Sequence, residues 1–335
     1  MKILLLGREG QSEFHEFAAD LHQALPAYDH ETELAFVDWI PSETGSRVDK
    51  SVSENLRRFA QPYDLVHALG YRTAWACAEA FGSKEAWVYS AYDRPSSTHR
   101  FLITRLNESQ IGICHSRAVF HDLDESLAID LKTVLPGIPI ATESDRLENA
   151  KQKFGFDEEH MVVGLRGAHT VESSFDLVIG LMAEISVKNP QVKLLVSGSG
   201  SESTSYQAQV AALGLDHCVR FAPNADRSEF YSALDLYVVP NKKAGFSLEA
   251  LYSMSAGVPT MLRNQSGLRE IVDQDISGFL FSDDTHLAET ILEVISLPLT
   301  LQTVGHAGKV RVLERFSIDR AAREISECYD LAIQP

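Results

Sequence analysis

This sequence predicts an α/β protein made of two doubly wound, Rossmann-like halves, each a parallel sheet with helices on both faces. Short apolar runs alternate with segments of helical spacing along the whole chain. The alternation breaks once, at a polar connector, and then restarts. A length of 335 residues is long for one hydrophobic core and comfortable for two. The expected divisions are residues 1–140, a connector over 141–160, a second half over 161–315 and a terminal helix over 316–335.

In the first half, Lys2–Leu6 reads as a buried strand, followed by a loop at Gly7-Arg8-Glu9-Gly10. Ser12–Leu25 has helical spacing through Phe14, Phe17, Ala18 and Leu21, and Pro26 ends it. Strands are expected at Glu33–Val37, Leu65–Ala68, Ala86–Ser90, Ile111–His115 and Leu131–Leu135. Helices are expected at Val52–Phe59, Thr73–Ala80 and Ala118–Leu123. In the second half, Met161–Leu165 is a strand, and Phe175, Val178, Ile179, Met182 and Ile185 form one helical stripe. Val192–Val196 runs into Ser197-Gly198-Ser199-Gly200. Helices at Tyr206–Leu213 and Glu229–Leu234 flank a strand at Cys218–Phe221, and Leu236–Val239 is the next strand. Leu287–Ile295 and the amphipathic Ile318–Leu331 are further helices, the latter expected to cross back to the first half.

Composition limits the function classes. A formal net charge of −17 argues against a nucleic-acid partner or an anionic membrane surface. Cys77, Cys114, Cys218 and Cys328 are scattered, with no C-x-x-C pair, and read as reduced thiols of a cytoplasmic protein. No apolar run reaches transmembrane length, and MKILLLGREG is too short for a signal peptide. No spacing suits a metal, so neither a metal nor another cofactor is expected. Gly7-Arg8-Glu9-Gly10 lacks the G-x-G-x-x-G spacing of a nicotinamide enzyme.

The stretch Val239–Phe281 is the first place to look for a site. A strand ends at Pro240, a helix starts near Gly245–Ser247 and stops at Ala256–Gly257 before Pro259, and a second strand, Thr260–Leu262, runs into a turn at Ser266–Gly267. Loop-to-helix junctions at the ends of parallel strands are where open sheets hold ligands, and a helix start offers backbone N–H groups to an anion. The stretch resembles the retaining group 1 (family 4-like) glycosyltransferases of the GT-B fold. Pro240, Gly245-Phe246-Ser247-Leu248, Met254, Ala256-Gly257-Val258-Pro259, Gly267, Glu270-Ile271-Val272 and Gly278-Phe279-Leu280 match that family's pattern. The resemblance implies a nucleotide-sugar donor on the second domain and an acceptor on the first.

Departures from the pattern fall on its polar positions. The two family glutamates that hold the donor sugar and ribose correspond to Ala244 and Tyr252. The arginine and lysine that neutralise the diphosphate correspond to Ala168 and Ser173, and a first-domain histidine corresponds to Tyr92. The implied donor site is therefore Gly245, Phe246, Ser247, Leu248 and Tyr252, with Gly198 and Gly200 as a weak phosphate-cradling turn. Lys242, Lys243, Arg166, Arg263 and Arg269 are the cations that could replace the lost charge, although a solvated loop pair is the simpler reading of Lys242–Lys243. Tyr92 and Glu249 are the catalytic candidates; simpler roles are domain packing for Tyr92, compensation of the helix dipole for Glu249 and a packed core ring for Tyr252. Gly7, Gly10 and His67 are further cleft candidates, His67 equally a hydrogen-bonded core residue.

Two functions follow from the resemblance. The first is sugar transfer with retention from a nucleotide sugar to an acceptor. The second is a catalytically silent GT-B protein that binds a sugar, a peptide or an active glycosyltransferase as partner subunit. A sugar-nucleotide epimerase is a third, disfavoured by the lack of an acid/base carboxylate pair.

Overall fold

The computed structural model describes residues 1–9, 13–40, 50–93, 103–140, 147–242, 245–265 and 267–334. Gly10, Lys243, Ala244 and Ser266 lie outside the described residues. The chain divides into two compact units, Met1–Pro139 with Phe316–Pro335, and Ile140–Arg315.

In the first unit, β1 (Lys2–Arg8), β2 (Glu31–Val37), β3 (Leu65–Leu69), β4 (Trp87–Ala91), β5 (Ile111–Cys114) and β6 (Asp130–Thr133) form one parallel sheet in the order β2-β1-β3-β4-β5-β6. Helices α1 (Glu13–Ala24), α2 (Lys50–Ala60), α3 (Tyr71–Phe81) and α4 (Arg117–Asp124) connect the strands. Every residue of β3 and β4 is buried, the mark of a parallel sheet covered on both faces. Strand β1 runs two residues beyond the expected Leu6. Gly7 is therefore a strand residue opposite Phe36, not a cleft loop; a Cβ there would lie 2.5 Å from the Phe36 ring.

In the second unit, α5 (Ala150–Lys153) precedes β7 (Met161–Arg166), α6 (Phe175–Lys188), β8 (Val192–Ser197), α7 (Ser203–Leu213), β9 (Val219–Phe221), α8 (Arg227–Ser232), β10 (Leu236–Val239), α9 (Leu248–Ser255), β11 (Thr260–Arg263), β12 (Phe279–Phe281), α10 (Leu287–Ile295) and α11 (Pro298–Arg315). The parallel sheet runs β12-β11-β10-β7-β8-β9. Winding reverses between β7 and β10, so the loops after these two strands diverge and leave a crevice at the strand ends. The expected stripe on α6 packs into one core with Val163, Leu194, Val196 and Leu236. Burying each such side chain contributes about 1.5–3 kcal/mol.

Three elements escaped the sequence reading, the first being α5, a single turn within the expected connector. Strand β12 is only three residues long. Helix α11 is interrupted in pattern by Gly305 and Gly308, which blur its apolar period. Both glycines are contact points: a Cβ on Gly305 would lie 2.3 Å from the Gly257 carbonyl oxygen, and one on Gly308 2.9 Å from that of Ser277. Helices α10 and α11 meet at 96°, and among the described residues no single helix is long and apolar enough to cross a membrane.

The terminal helix α12 (Ile318–Ala332) belongs to the first unit. Its cap Ser317 forms a bridge with Ile138, and Tyr28 Oη donates to the Asp319 carbonyl at 2.9 Å. A buried chain of hydrogen bonds ties it to the sheet. His115 Nδ1 lies 2.7 Å from the Val134 carbonyl, which can only accept, so this nitrogen carries the proton. His115 Nε2 then accepts from Ser90 Oγ at 2.8 Å, Ser90 Oγ accepts from His67 Nε2 at 2.8 Å, and His67 Nδ1 accepts from Tyr329 Oη at 2.7 Å. Both rings are held neutral: burial pushes His67 down to about 3, helped by His115, and burial pushes His115 down to about 4.

Candidate functional site

The crevice of the second unit is built by four loops at the strand ends. After β7, Gly167 takes a φ of 139°, a region L side chains avoid. The loop after β8 packs directly on it: a Cβ on Gly198 would lie 1.9 Å from the Gly167 carbonyl oxygen, and one on Gly200 2.4 Å from that of His169. His169 N donates to the Ser199 carbonyl at 3.0 Å, and Gly200 N donates to Ser203 Oγ at 3.0 Å. Close backbone approach thus gives Gly198 and Gly200 a packing role in this turn. Gly245 and Gly267 join the other pair of loops in the same way; a Cβ on Gly267 would fall 1.3 Å from the Gly245 carbonyl oxygen.

No cation stands at Ala168 or Ser173. Ser173 Oγ donates to the Thr170 carbonyl at 2.6 Å. His169 is packed against Phe175 and Tyr206 and held by Ser203, and burial lowers its pKa.

Positive charge is gathered in two clusters instead. In the first, Glu249 receives Arg166 (Nε–Oε2 3.2 Å) and Arg227 (Nη2–Oε1 3.0 Å) and accepts from Tyr231 Oη at 2.5 Å. Burial, reinforced by the Glu249 charge, pushes the Tyr231 hydroxyl far up, so it is a fixed donor. Arg166 also donates to Ser197 Oγ and to the Ala225 carbonyl. The Arg227 guanidinium lies 3.8 Å from the centroid of the Tyr252 ring, a cation–π contact. The helix start itself is capped by Ser247, whose Oγ accepts from Ala250 N. Glu249 is therefore an ion-pair anchor rather than simple dipole compensation, and Tyr252 is a half-buried stacking partner rather than a core ring.

In the second cluster, Asp284 receives Arg263 (Nη2–Oδ1 2.6 Å) and Lys242 (Nζ–Oδ2 3.4 Å). Burial opposes ionisation of Asp284, but Arg263 and Lys242 outweigh it and hold the carboxyl below its ordinary range. Arg263 is immobilised: its side chain is 12% exposed and Nε donates to the Pro240 carbonyl at 2.8 Å. Lys242 is 55% exposed and its ammonium lies 3.4 Å from the Asp284 carboxylate, so it has room to turn to a ligand. Among the described residues, two cations meet one carboxylate in each cluster, and Asp226 adds a further negative charge near Arg166. Among the described residues no group of three or more His, Cys, Asp or Glu is placed to hold a metal ion.

The remaining candidates lie in the first unit. Tyr92 is stacked between Phe14 (4.1 Å) and His115 (4.5 Å) and buried. His67 is wholly buried in the hydrogen-bonded chain. Both are packing residues of that unit. Sequence reasoning missed Asp284, Arg227 and Tyr231, which lie outside the helix-start motif; only the Asp226 cap before Arg227 offered a local signal.

Residues 145–311 match the family of glycosyl transferases described as group 1. The chain belongs to that family. Its fold is GT-B, since the Anabaena protein Alr3699/HepE, solved with UDP and glucose, superimposes with a TM-score of 0.85 at 21% identity over 98% of this chain and 99% of that one. Sucrose-phosphate synthase from Thermosynechococcus elongatus gives a TM-score of 0.82 at 18% identity, over 98% of each chain. By sequence, the D-inositol 3-phosphate glycosyltransferase of Segniliparus rotundus is 29% identical over 195 residues, 55% of this chain and 43% of that protein. The Salinispora tropica enzyme of the same name is 26% identical over 320 residues, 82% of this chain and 65% of its own. The chain spans about half the length of the first curated relatives it matches.

Proposed function

We propose that this group 1 glycosyltransferase binds a nucleotide sugar on its second unit and transfers the sugar, with retention, to an acceptor hydroxyl. The bond between the sugar's anomeric carbon and the diphosphate oxygen breaks, and its electrons leave with the nucleoside diphosphate. The acceptor oxygen bonds to the anomeric carbon and passes its proton to the departing diphosphate oxygen. Departure of the diphosphate needs positive charge or aimed dipoles. The observation that carries the reading is the pair of cations Arg263 and Lys242 at the strand ends on the single Asp284 carboxylate, with Lys242 largely exposed. The reading assigns no metal to the site, because Lys242 and the helix start at Ser247 supply the offset. The likeness to a protein solved with UDP-glucose supports a nucleotide sugar as the donor class.

Incubation with UDP-glucose, GDP-mannose and ADP-glucose, followed by NMR, tests this. Release of one nucleoside diphosphate with an anomeric product of unchanged configuration, unaffected by EDTA, is the expected result. Turnover of none of them, alongside stable association with an active glycosyltransferase, would favour the silent partner-subunit reading. The stack of Arg227 on Tyr252, which covers the ring at the family's ribose-binding position, is the observation on that side.

A further inference from the structure

A second cavity lies in the first unit, between the edge strand β2 and helix α2. It encloses about 410 Å³, within the size range of small-molecule sites. Its walls are apolar and largely aromatic: Trp39, Phe59 and Tyr63, with Val37 and Pro62. Asn55 and Arg58, one helical turn apart along α2, complete the lining.

Of the polar groups lining this cavity, the Tyr63 hydroxyl is spent on Glu33 and three others are not. Among the described residues, the side chains of Trp39, Asn55 and Arg58 have neither a hydrogen-bond nor an ionic partner. Of the acids along these elements, Glu54 pairs with Lys50, Glu33 accepts from Tyr63, and Glu31 pairs with Lys2, whose ammonium also lies over the Tyr63 ring; Asp38, next to Trp39 in the chain, is exposed. Arg58 and Asn55 are exposed at the rim of the aromatic pocket, and Arg58 has no carboxylate partner there, so its guanidinium is available to an anion seated on the rings. An alkyl chain would suit the rings but make no use of the indole N–H, the amide or the charge at the rim. A pyranose offers a C–H face to the rings and hydroxyls to the donors, and a carboxylate or phosphate on it meets Arg58.

We propose that this pocket binds an anionic saccharide, a pyranose carrying a carboxylate or a phosphate, stacked on Trp39 and held by Arg58 and Asn55. The site belongs to the first unit alone and does not rest on donor binding by the second. It gives the protein a recognition point for a charged glycan separate from the reacting sugar.

Trp39 provides a direct readout, because the other two tryptophans, Trp75 and Trp87, are buried in the core. Intrinsic fluorescence is titrated with glucuronate, glucose 6-phosphate and methyl glucoside, in the wild type and in Trp39→Phe and Arg58→Ala. The two anionic probes separate a uronic acid from a sugar phosphate as the source. Expected are a saturable change at millimolar glucuronate or glucose 6-phosphate, at least tenfold weaker affinity for methyl glucoside, and loss of that preference in Arg58→Ala. In Trp39→Phe the fluorescence change disappears, and saturation-transfer NMR shows at least tenfold weaker binding. Equal affinity for charged and neutral sugars overturns the proposal, as does no binding of any of them, or binding of dodecylphosphocholine instead. A dimer that Arg58→Ala dissociates would also overturn it, since a second copy would then fill the pocket. UDP-glucose titration of the same variants is the independent control: failure there concerns the second unit, not this pocket.

Discussion

Glu249 shows how one side chain organises its surroundings. It sits in the first turn of α9, yet its carboxylate is spent on Arg166, Arg227 and Tyr231 rather than on the helix end. Removing its charge takes a shared carboxylate from two mostly enclosed guanidinium groups, which is far costlier than losing an exposed pair. Glu249→Gln is expected to lower the unfolding free energy by about 3 kcal/mol, read from a shifted urea midpoint at unchanged slope. A change below 0.5 kcal/mol would mean that the cluster is not a stability element. The type of residue was legible in the sequence; its partners were not, because Arg227 and Tyr231 come from a different helix and Arg166 from a strand far along the chain.

At the scale of elements, the glycines reveal how the crevice is held open. The sequence marks Gly198, Gly200, Gly245 and Gly267 as loop residues, with Gly198 and Gly200 read as a weak phosphate-cradling turn. Three-dimensional placement shows loops pressed against one another in pairs, which only coordinates could reveal. Gly267→Ala is expected to push the β10 and β11 loops apart, because its Cβ would overlap the Gly245 carbonyl. The cost is about 1–3 kcal/mol of stability, seen as a lower thermal midpoint, with faster amide exchange confined to these two loops. Unchanged exchange there would contradict the paired-loop account. Helix α11 carries the converse lesson: its interior glycines look like breakers, yet they mark where helix meets backbone.

Across the whole molecule, the two units respond differently to acid. His67 and His115 are neutral and buried in the first unit, with pKa values near 3 and 4 against about 6.5 in an unfolded chain. Below pH 6.5 the unfolded chain takes up protons that the folded unit refuses. Stability is therefore complete above about pH 6.5 and falls as pH drops toward 4 and then 3, by a few kcal/mol per ring as an order of magnitude. Amide exchange between pH 7 and 4.5 is expected to show β3–β5 and α12 losing protection before the β7–β10 sheet. Simultaneous loss in both units would remove this explanation.

The two-half architecture was readable because strand and helix periods differ and because Gly and Pro punctuate the junctions. The charge balance was not, since Lys242, Arg263 and Asp284 meet only when the strand-end loops converge. Calorimetric titration of uridine, guanosine, adenosine and thymidine diphosphates and their sugars into the wild type and Lys242→Ala tests the central claim most directly. The account predicts binding of one nucleotide class at micromolar to millimolar concentration, weakened about tenfold by the substitution, equivalent to roughly 1.4 kcal/mol. No heat with any nucleotide at millimolar concentration, or full affinity in Lys242→Ala, would contradict it.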